Sequence, residues 1–127
     1  MKRILLLLLL CSTTLLMAQQ TDPIQEAMAS YDYETALSLI AQKKPATPLL
    51  LQKGKALRSL GLNAEALSTY QEIIGKDSTN TRALIEAAEC CRTLAKYKQA
   101  SAYYEKVLDL TPENKYVRIQ YINLLLA

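Results

Sequence analysis

Apolar side chains recur along this chain at the spacing of one helix face. One stripe runs i, i+3, i+4, i+7, and a second runs i, i+4, i+7 and begins 16 residues later: Leu84, Ala87, Ala88, Cys91; Ala100, Tyr104, Val107. Such spacing is typical of amphipathic helices. Proline, glycine and short polar runs separate the pieces of helical length. The pattern predicts an all-α chain in which neighbouring helices pair antiparallel and cover each other's apolar stripe.

The stripes themselves repeat with a period of 34 residues. Matching positions hold the same kind of side chain each time: Leu50 with Leu84, Gly54 with Ala88, Leu57 with Cys91, Ala66 with Ala100, Tyr70 with Tyr104, and Ile73 with Val107. A fixed period in this range predicts a solenoid, in which each repeat buries its apolar face against the next.

These residues resemble the tetratricopeptide repeat family, whose pattern has a small residue in the first helix, an alanine and an aromatic in the second, and a proline near the end. Thr81 to Asn114 fit it throughout, and Thr47 to Asn80 depart from it where Ser78 replaces the proline. The resemblance implies an all-α, TPR-like α–α superhelix, a solenoid of antiparallel helix pairs. In such packing we expect Gly54 to let the first helix approach Ala66 on the second.

The same pattern makes residues 19–127 one domain. Its parts are a divergent first repeat, two regular repeats and the first helix of an incomplete fourth: 22–46, 47–80, 81–114 and 115–127. Apolar residues wrap most of the circumference of the last helix, which is typical of a helix that is covered. Either the natural protein continues past Ala127, the explanation we favour, or this helix docks on a second copy or a partner.

Residues 1–18 have the pattern of a secretory signal peptide. Lys2 and Arg3 precede an apolar run, and Ala18 supplies the small residue at the expected cleavage site. An uncleaved membrane anchor is an alternative, although the run is short for a span, and lipidation at Cys11 is another. We expect an exported protein of the bacterial periplasm or cell envelope, with membrane attachment only through an uncleaved or lipidated leader.

Charge and chemistry point away from nucleic acid and from catalysis. Without Lys2 and Arg3, the 15 basic residues of the whole chain fall to 13, against 12 acidic residues. That balance lacks the basic surplus of a nucleic-acid binder. With no histidine and only isolated glycines, the sequence suggests neither an activated nucleophile nor a phosphate loop. We therefore predict no enzymatic activity and no cofactor.

Two pairs of residues could carry chemistry but have simpler interpretations. Cys90 and Cys91 are adjacent, too close for an ordinary disulfide, and without histidine they suggest no metal site. We interpret them as small core side chains. Glu86 and Glu89 are flanked by Arg82 at i−4 and Arg92 at i+3, which is the spacing of ion pairs on a helix surface.

The family resemblance also implies a place for binding. In proteins that this chain resembles, the first helix of each repeat lines a concave groove, and the corresponding positions here are Leu51, Lys55, Arg58, Arg82, Ile85, Glu89 and Arg92. The last helix would add Tyr116, Ile119 and Asn123. This mixed, largely basic set does not match the carboxylate-clamp subgroup. It suits a peptide or protein partner with acidic groups, and the alternative is an ordinary solvated surface.

Three functional hypotheses follow from the sequence. The first, which we favour, is a non-catalytic protein-interaction scaffold module of the cell envelope. The second is the extracytoplasmic sensing region of a longer signalling protein, and the third is a docking appendage of a downstream enzyme domain. Self-association through residues 115–127 is compatible with each of them.

Overall fold

A computed structural model describes residues 21–127 together with Ile4, so the proposed leader and its cleavage site lie outside the described residues apart from that one position. The described chain is helical, without strands, and its seven helices from residue 21 onward are α1 Pro23–Ala29, α2 Tyr33–Ile40, α3 Thr47–Ser59, α4 Asn63–Lys76, α5 Thr81–Thr93, α6 Tyr97–Leu110 and α7 Lys115–Leu126. Each helix packs on the next one along the chain. The predicted all-α solenoid of antiparallel helix pairs is confirmed.

An asparagine side chain caps the N-terminus of the first helix in each of the last two repeats, α5 and α7. The Asn80 side chain accepts a hydrogen bond from the Ala83 amide at 3.0 Å, and 34 residues later the Asn114 side chain accepts one from the Val117 amide at 3.1 Å. An N-cap oxygen satisfies one of the amides that the first turn leaves without a partner. The helices α5 and α7 therefore begin with the same capping interaction, one repeat period apart.

The turn inside each helix pair needs one residue with positive φ. That residue is Tyr31 in the first pair, Gly61 in the second and Ala95 in the third, with φ of 61°, 77° and 58°. At the third turn the following amide, that of Lys96, donates to the Cys91 carbonyl at 2.7 Å, which closes the end of α5 in the manner of a Schellman motif. Glycine adopts this conformation without strain, whereas tyrosine and alanine do not.

Replacing Ala95 by glycine should therefore stabilise the protein. Ala95 is exposed and its backbone is left-handed, so the substitution removes strain without opening the core, and we expect a gain of about 0.5–1 kcal/mol. Urea denaturation measures it. The control is Ala102→Gly on the exposed side of α6, where φ is helical and the same change should cost about 1 kcal/mol. Two losses of similar size would contradict the strain at Ala95.

The residues of the repeated pattern form the core. All of those predicted to pack are buried: Leu50, Gly54, Leu57, Ala66, Tyr70, Ile73, Leu84, Ala88, Cys91, Ala100, Tyr104 and Val107. We expected Gly54 to let α3 approach Ala66, but the side chain that lies closest to Gly54 is that of Tyr70. A Cβ placed on Gly54 would lie 2.5 Å from Cζ of Tyr70, so the missing side chain makes room for the tyrosine ring of the same repeat.

The two ends of the solenoid depart from the regular repeat. Helices α1 and α2 have 7 and 8 residues, whereas α3 to α6 have 13 or 14. In α7 the fully covered side chain is Val117, and Tyr121 and Leu124 pack partly against the core. Within the described residues, no helix is both long enough and apolar enough to cross a membrane.

Candidate functional site

A cleft runs between the first helices of the two regular repeats. Its walls come from α3, from the side of α4 that faces them, and from α5, and its volume is about 520 Å³. We call it the basic cleft; it is lined by Lys55, Arg58, Ser59, Asn63, Tyr70, Arg82, Glu86 and Thr93. Its size lies within the range of protein binding sites, and nearly every side chain in its wall can donate a hydrogen bond.

An ion pair between repeats spans the basic cleft. The Arg58 guanidinium on α3 donates to the Glu86 carboxylate on α5, and both side chains are about two-thirds covered. Burial by itself lowers the pKa of Arg58, but the neighbouring Glu86 carboxylate outweighs it and the pKa lies above its ordinary value. Arg58 therefore stays charged, and its charge is largely neutralised by Glu86.

Lys55 and Arg82 supply the remaining charge of the cleft. Both are exposed, and neither has an ion-pair partner within the described part of the chain. Tyr70, although it is almost completely buried, also contributes to the cleft wall. Burial, together with the field of Glu86, raises the pKa of Tyr70, so its hydroxyl stays protonated. Two cations that have no ion-pair partner among residues 21–127, together with several neutral donors, give the cleft the chemistry to bind carboxylates.

The structure separates the residues predicted to line one groove. Lys55, Arg58 and Arg82 lie together in the basic cleft. Leu51 and Ile85 are half-buried, pack on the core and are not part of the cleft wall.

Arg92 borders a different cavity. That cavity has a volume of about 270 Å³, and Arg92 lines it together with Asn123 and the end of α7. Four other residues line the basic cleft but were not among the groove residues predicted from the sequence: Ser59, Asn63, Tyr70 and Thr93.

Glu89 is a structural residue in this arrangement and is not available to a ligand. Its side chain is 5% exposed. One carboxylate oxygen accepts hydrogen bonds from the Tyr104 hydroxyl at 2.6 Å and the Tyr116 hydroxyl at 3.3 Å. The other accepts from the guanidinium of Arg92 at 2.7 Å. The expected Glu89–Arg92 pair does form, but its carboxylate is buried and also accepts from two tyrosines, while the Arg92 side chain is about half exposed.

The network defines the charge state of Glu89. Burial alone raises the pKa of this carboxyl group, but the hydrogen bonds from Tyr104, Arg92 and Tyr116 outweigh burial and the pKa lies below its ordinary value. The carboxylate is therefore ionised and fully paired, and it joins α5 to α6 and α7.

The expected pairing of Glu86 with Arg82 is wrong, because Glu86 pairs with Arg58 of the preceding repeat.

The adjacent cysteines are core side chains, as the sequence suggested. Cys90 and Cys91 are free thiols and completely buried. Burial raises the pKa of Cys90 to about 11 and also raises that of Cys91, so neither is activated as a thiolate. In the part of the chain that the structure describes, no group of three histidine, cysteine or acidic side chains could hold a metal ion.

Comparison with known proteins agrees with this architecture. Residues 81–114 match the family model of the tetratricopeptide repeat. The first TPR domain of Spaghetti (RPAP3), solved with the HSP90 peptide SRMEEVD, is 20% identical with a TM-score of 0.74, and the match covers 81% of this chain and 85% of that one. The TPR domain of Arabidopsis OM64 is 18% identical with a TM-score of 0.72, covering 80% and 88%.

A bacterial structure also matches. PcrH of Pseudomonas aeruginosa, in complex with the chaperone binding region of PopB, is 18% identical with a TM-score of 0.65, and the match covers 80% of this chain and 85% of that one. No curated protein sequence matches this chain significantly. The fold is thus an all-α solenoid of the tetratricopeptide type. Residues 81–114 are a tetratricopeptide repeat, and the chain around them has the fold of a TPR domain.

Proposed function

We propose that this protein is a non-catalytic interaction module that binds an acidic segment of a partner protein in the basic cleft. The single observation that carries the proposal is the arrangement of Lys55 and Arg82 in a cleft whose other guanidinium, Arg58, is already paired with Glu86. Within the described residues these two cations have no ion-pair partner, and in a concave, donor-rich site they favour carboxylates of an extended or helical peptide.

The structural relatives support binding of this general kind. RPAP3 was solved with a peptide, SRMEEVD, that contains three acidic side chains, and PcrH was solved with a segment of a protein partner. The composition of the basic cleft supplies the more specific part of the proposal, the preference for acidic groups. Its arginine and lysine positions differ from the carboxylate-clamp set, so we propose recognition of acidic side chains along a segment.

The setting that we propose is the bacterial cell envelope. The pattern of residues 1–18 supports export, and the absence of histidine from the sequence supports a binding role over catalysis. We therefore propose a scaffold module of the periplasm that binds an acidic segment of a partner protein in the basic cleft.

An array of acidic heptapeptides tests the proposal directly. Each peptide is paired with a twin in which glutamine and asparagine replace glutamate and aspartate. We expect acidic peptides to be retained in preference to their twins, and Lys55→Glu with Arg82→Glu to weaken binding about tenfold, since each exposed charge contributes up to about 1 kcal/mol. Added salt should weaken binding by the wild type as well.

The matched control reverses two lysines outside the cleft. Lys44→Glu with Lys98→Glu changes the net charge equally, at two exposed positions, and should leave peptide binding near that of the wild type. We choose Lys55 and Arg82 because Arg92 belongs to the Glu89 network, where an added glutamate would disturb the fold. Equal retention of acidic peptides and their twins, or equal losses in the two double variants, would refute the proposal.

A further inference from the structure

Another cavity lies between the first repeat and the second, on residues that the basic cleft does not use. Its volume is about 460 Å³, within the range of small-ligand sites. Its walls come from α2, the loop that follows, α3 and α4, all of them between residues 37 and 72. We call it the first-repeat pocket; its lining is mostly aliphatic and includes Leu37, Ile40, Leu49, Leu50 and Leu57.

The pocket is open because the second helix of the first repeat is short. When the turns with positive φ are aligned, Lys43 corresponds to Ile73 of α4 and Val107 of α6. Both of those side chains are completely buried. In the first repeat, α2 has already ended at Ile40, and residues 41–46 are exposed. The first repeat therefore lacks the aliphatic side chains that close this part of the stack in the regular repeats.

Two lysines give the pocket its charge. Lys43 and Lys53 belong to its lining, and neither has an ion-pair partner among residues 21–127. The acidic residue of the lining, Glu72, is already paired with Lys76 at 3.5 Å. An aliphatic wall with two ammonium groups is complementary to an aliphatic chain that ends in an anion, since the wall buries the chain and the charges orient it.

We propose that the first-repeat pocket binds a fatty acid, a monocarboxylate with one unbranched aliphatic chain. The chain lies against the leucines of α2 and α3, where the regular repeats supply buried side chains of their own. The carboxylate lies near the ammonium groups of Lys43 and Lys53. The pocket shares no lining residue with the basic cleft, so a fatty acid in one leaves the other open to a partner segment.

Titration with decanoate, below its micelle concentration, tests the proposal. The purified protein carries ¹³C-labelled isoleucine and leucine methyl groups, and we expect the largest shifts at Leu37, Ile40 and Leu49. Octanoate is two methylene groups shorter and should bind about tenfold more weakly, because less apolar surface is buried. Decyltrimethylammonium has the same chain length as decanoate with a positive head, and it should bind more weakly than decanoate.

A filled pocket supplies the first variant. Leu49→Trp should remove the shifts that decanoate causes at Leu37 and Ile40, because the indole ring occupies the space of the chain. The matched control is Leu62→Trp, at an exposed turn residue outside the pocket, which should bind decanoate like the wild type. Circular dichroism checks that both variants are folded.

The lysines supply a second variant that leaves the apolar wall unchanged. Lys43→Gln with Lys53→Gln should weaken decanoate binding about tenfold and should not weaken binding of decyltrimethylammonium. Lys96→Gln with Lys98→Gln, at two exposed positions outside the pocket, is the control of equal charge and should bind decanoate like the wild type. This pair of variants decides the proposal even if Leu49→Trp does not fold.

Three results would overturn the proposal. The first is equal binding of decanoate and decyltrimethylammonium, and the second is a set of shifts centred on the exposed isoleucines of α7, Ile119 and Ile122. The third is a response of the pocket methyl groups to phosphatidylglycerol vesicles and not to decanoate, which would indicate a membrane surface instead of a free fatty acid.

Discussion

Replacing Glu89 by alanine is expected to cost about 2–4 kcal/mol of unfolding free energy. The carboxylate is buried and accepts hydrogen bonds from Tyr104, Tyr116 and Arg92. Alanine leaves the buried Tyr104 hydroxyl without its acceptor and breaks the contact that joins α7 to α5. Urea denaturation followed by circular dichroism measures the loss.

The Glu89→Gln variant is the matched control, because it keeps the shape and one oxygen acceptor while it removes the charge. It should lose less stability than Glu89→Ala. Similar small losses in both variants, of the size found at exposed sites, would show that the network does not hold the helices together.

Glu89 also gives the stability a dependence on pH. Its folded-state pKa lies below the ordinary value of 4.5, so folding favours the ionised form. The stabilisation is therefore complete above pH 4.5 and is lost as the pH falls through the folded-state pKa. The stability difference between wild type and Glu89→Gln should be largest near neutral pH and should shrink on acidification. A difference that does not change with pH would contradict the ionised, hydrogen-bonded state of this carboxylate.

The second large effect is expected for Gly54→Val, with a loss of about 2–3 kcal/mol. The Cβ alone would come within 2.5 Å of the Tyr70 ring, and Tyr70 is 1% exposed, so its ring can move only by disturbing its neighbours. The two methyl groups of valine extend the overlap. Either α3 moves away from α4 or the ring turns into the basic cleft, and thermal and urea denaturation both report the cost.

Gly75→Val supplies the comparison for Gly54→Val. Gly75 lies in the last turn of α4 and has nothing within 4 Å of an added Cβ, so valine there should be slightly stabilising, by about 0.3 kcal/mol, through its better helix propensity. If the two glycine variants were equally stable, the close approach of α3 and Tyr70 would be absent in solution.

The repeated core could be predicted from the sequence because it depends on local spacing. Positions such as Leu84, Ala88 and Tyr104 recur at 34-residue intervals, and each interval samples the same packing environment. The turns between paired helices also depend on local sequence. A glycine such as Gly61 suggests positive φ, whereas Tyr31 and Ala95 adopt it without any such indication in the sequence. Helix type and pairing are therefore set by side chains close to one another along the chain.

The polar contacts of the cleft could not be predicted in the same way. The Arg58–Glu86 pair joins residues 28 apart in different repeats, and the Tyr116–Glu89 contact joins residues 27 apart. Neighbours at i, i+3 and i, i+4 lie within one helix, and their spacing therefore predicted a pair of Glu86 with Arg82. The same spacing predicted Glu89 on a helix surface, but Tyr104 and Tyr116 from later helices cover it. The superhelical stacking of repeats decides these contacts.

Chemical-shift mapping is the most direct test of whether an acidic segment binds in the cleft formed by Lys55, Arg58 and Arg82. Amide resonances of the ¹⁵N-labelled protein are followed as the acidic heptapeptide retained best on the array is added. We predict that the largest shifts lie along the facing sides of α3 and α5, and that the amide-substituted twin produces little change. Shifts centred on α7 or on α2, or equal shifts with both peptides, would contradict binding in the basic cleft.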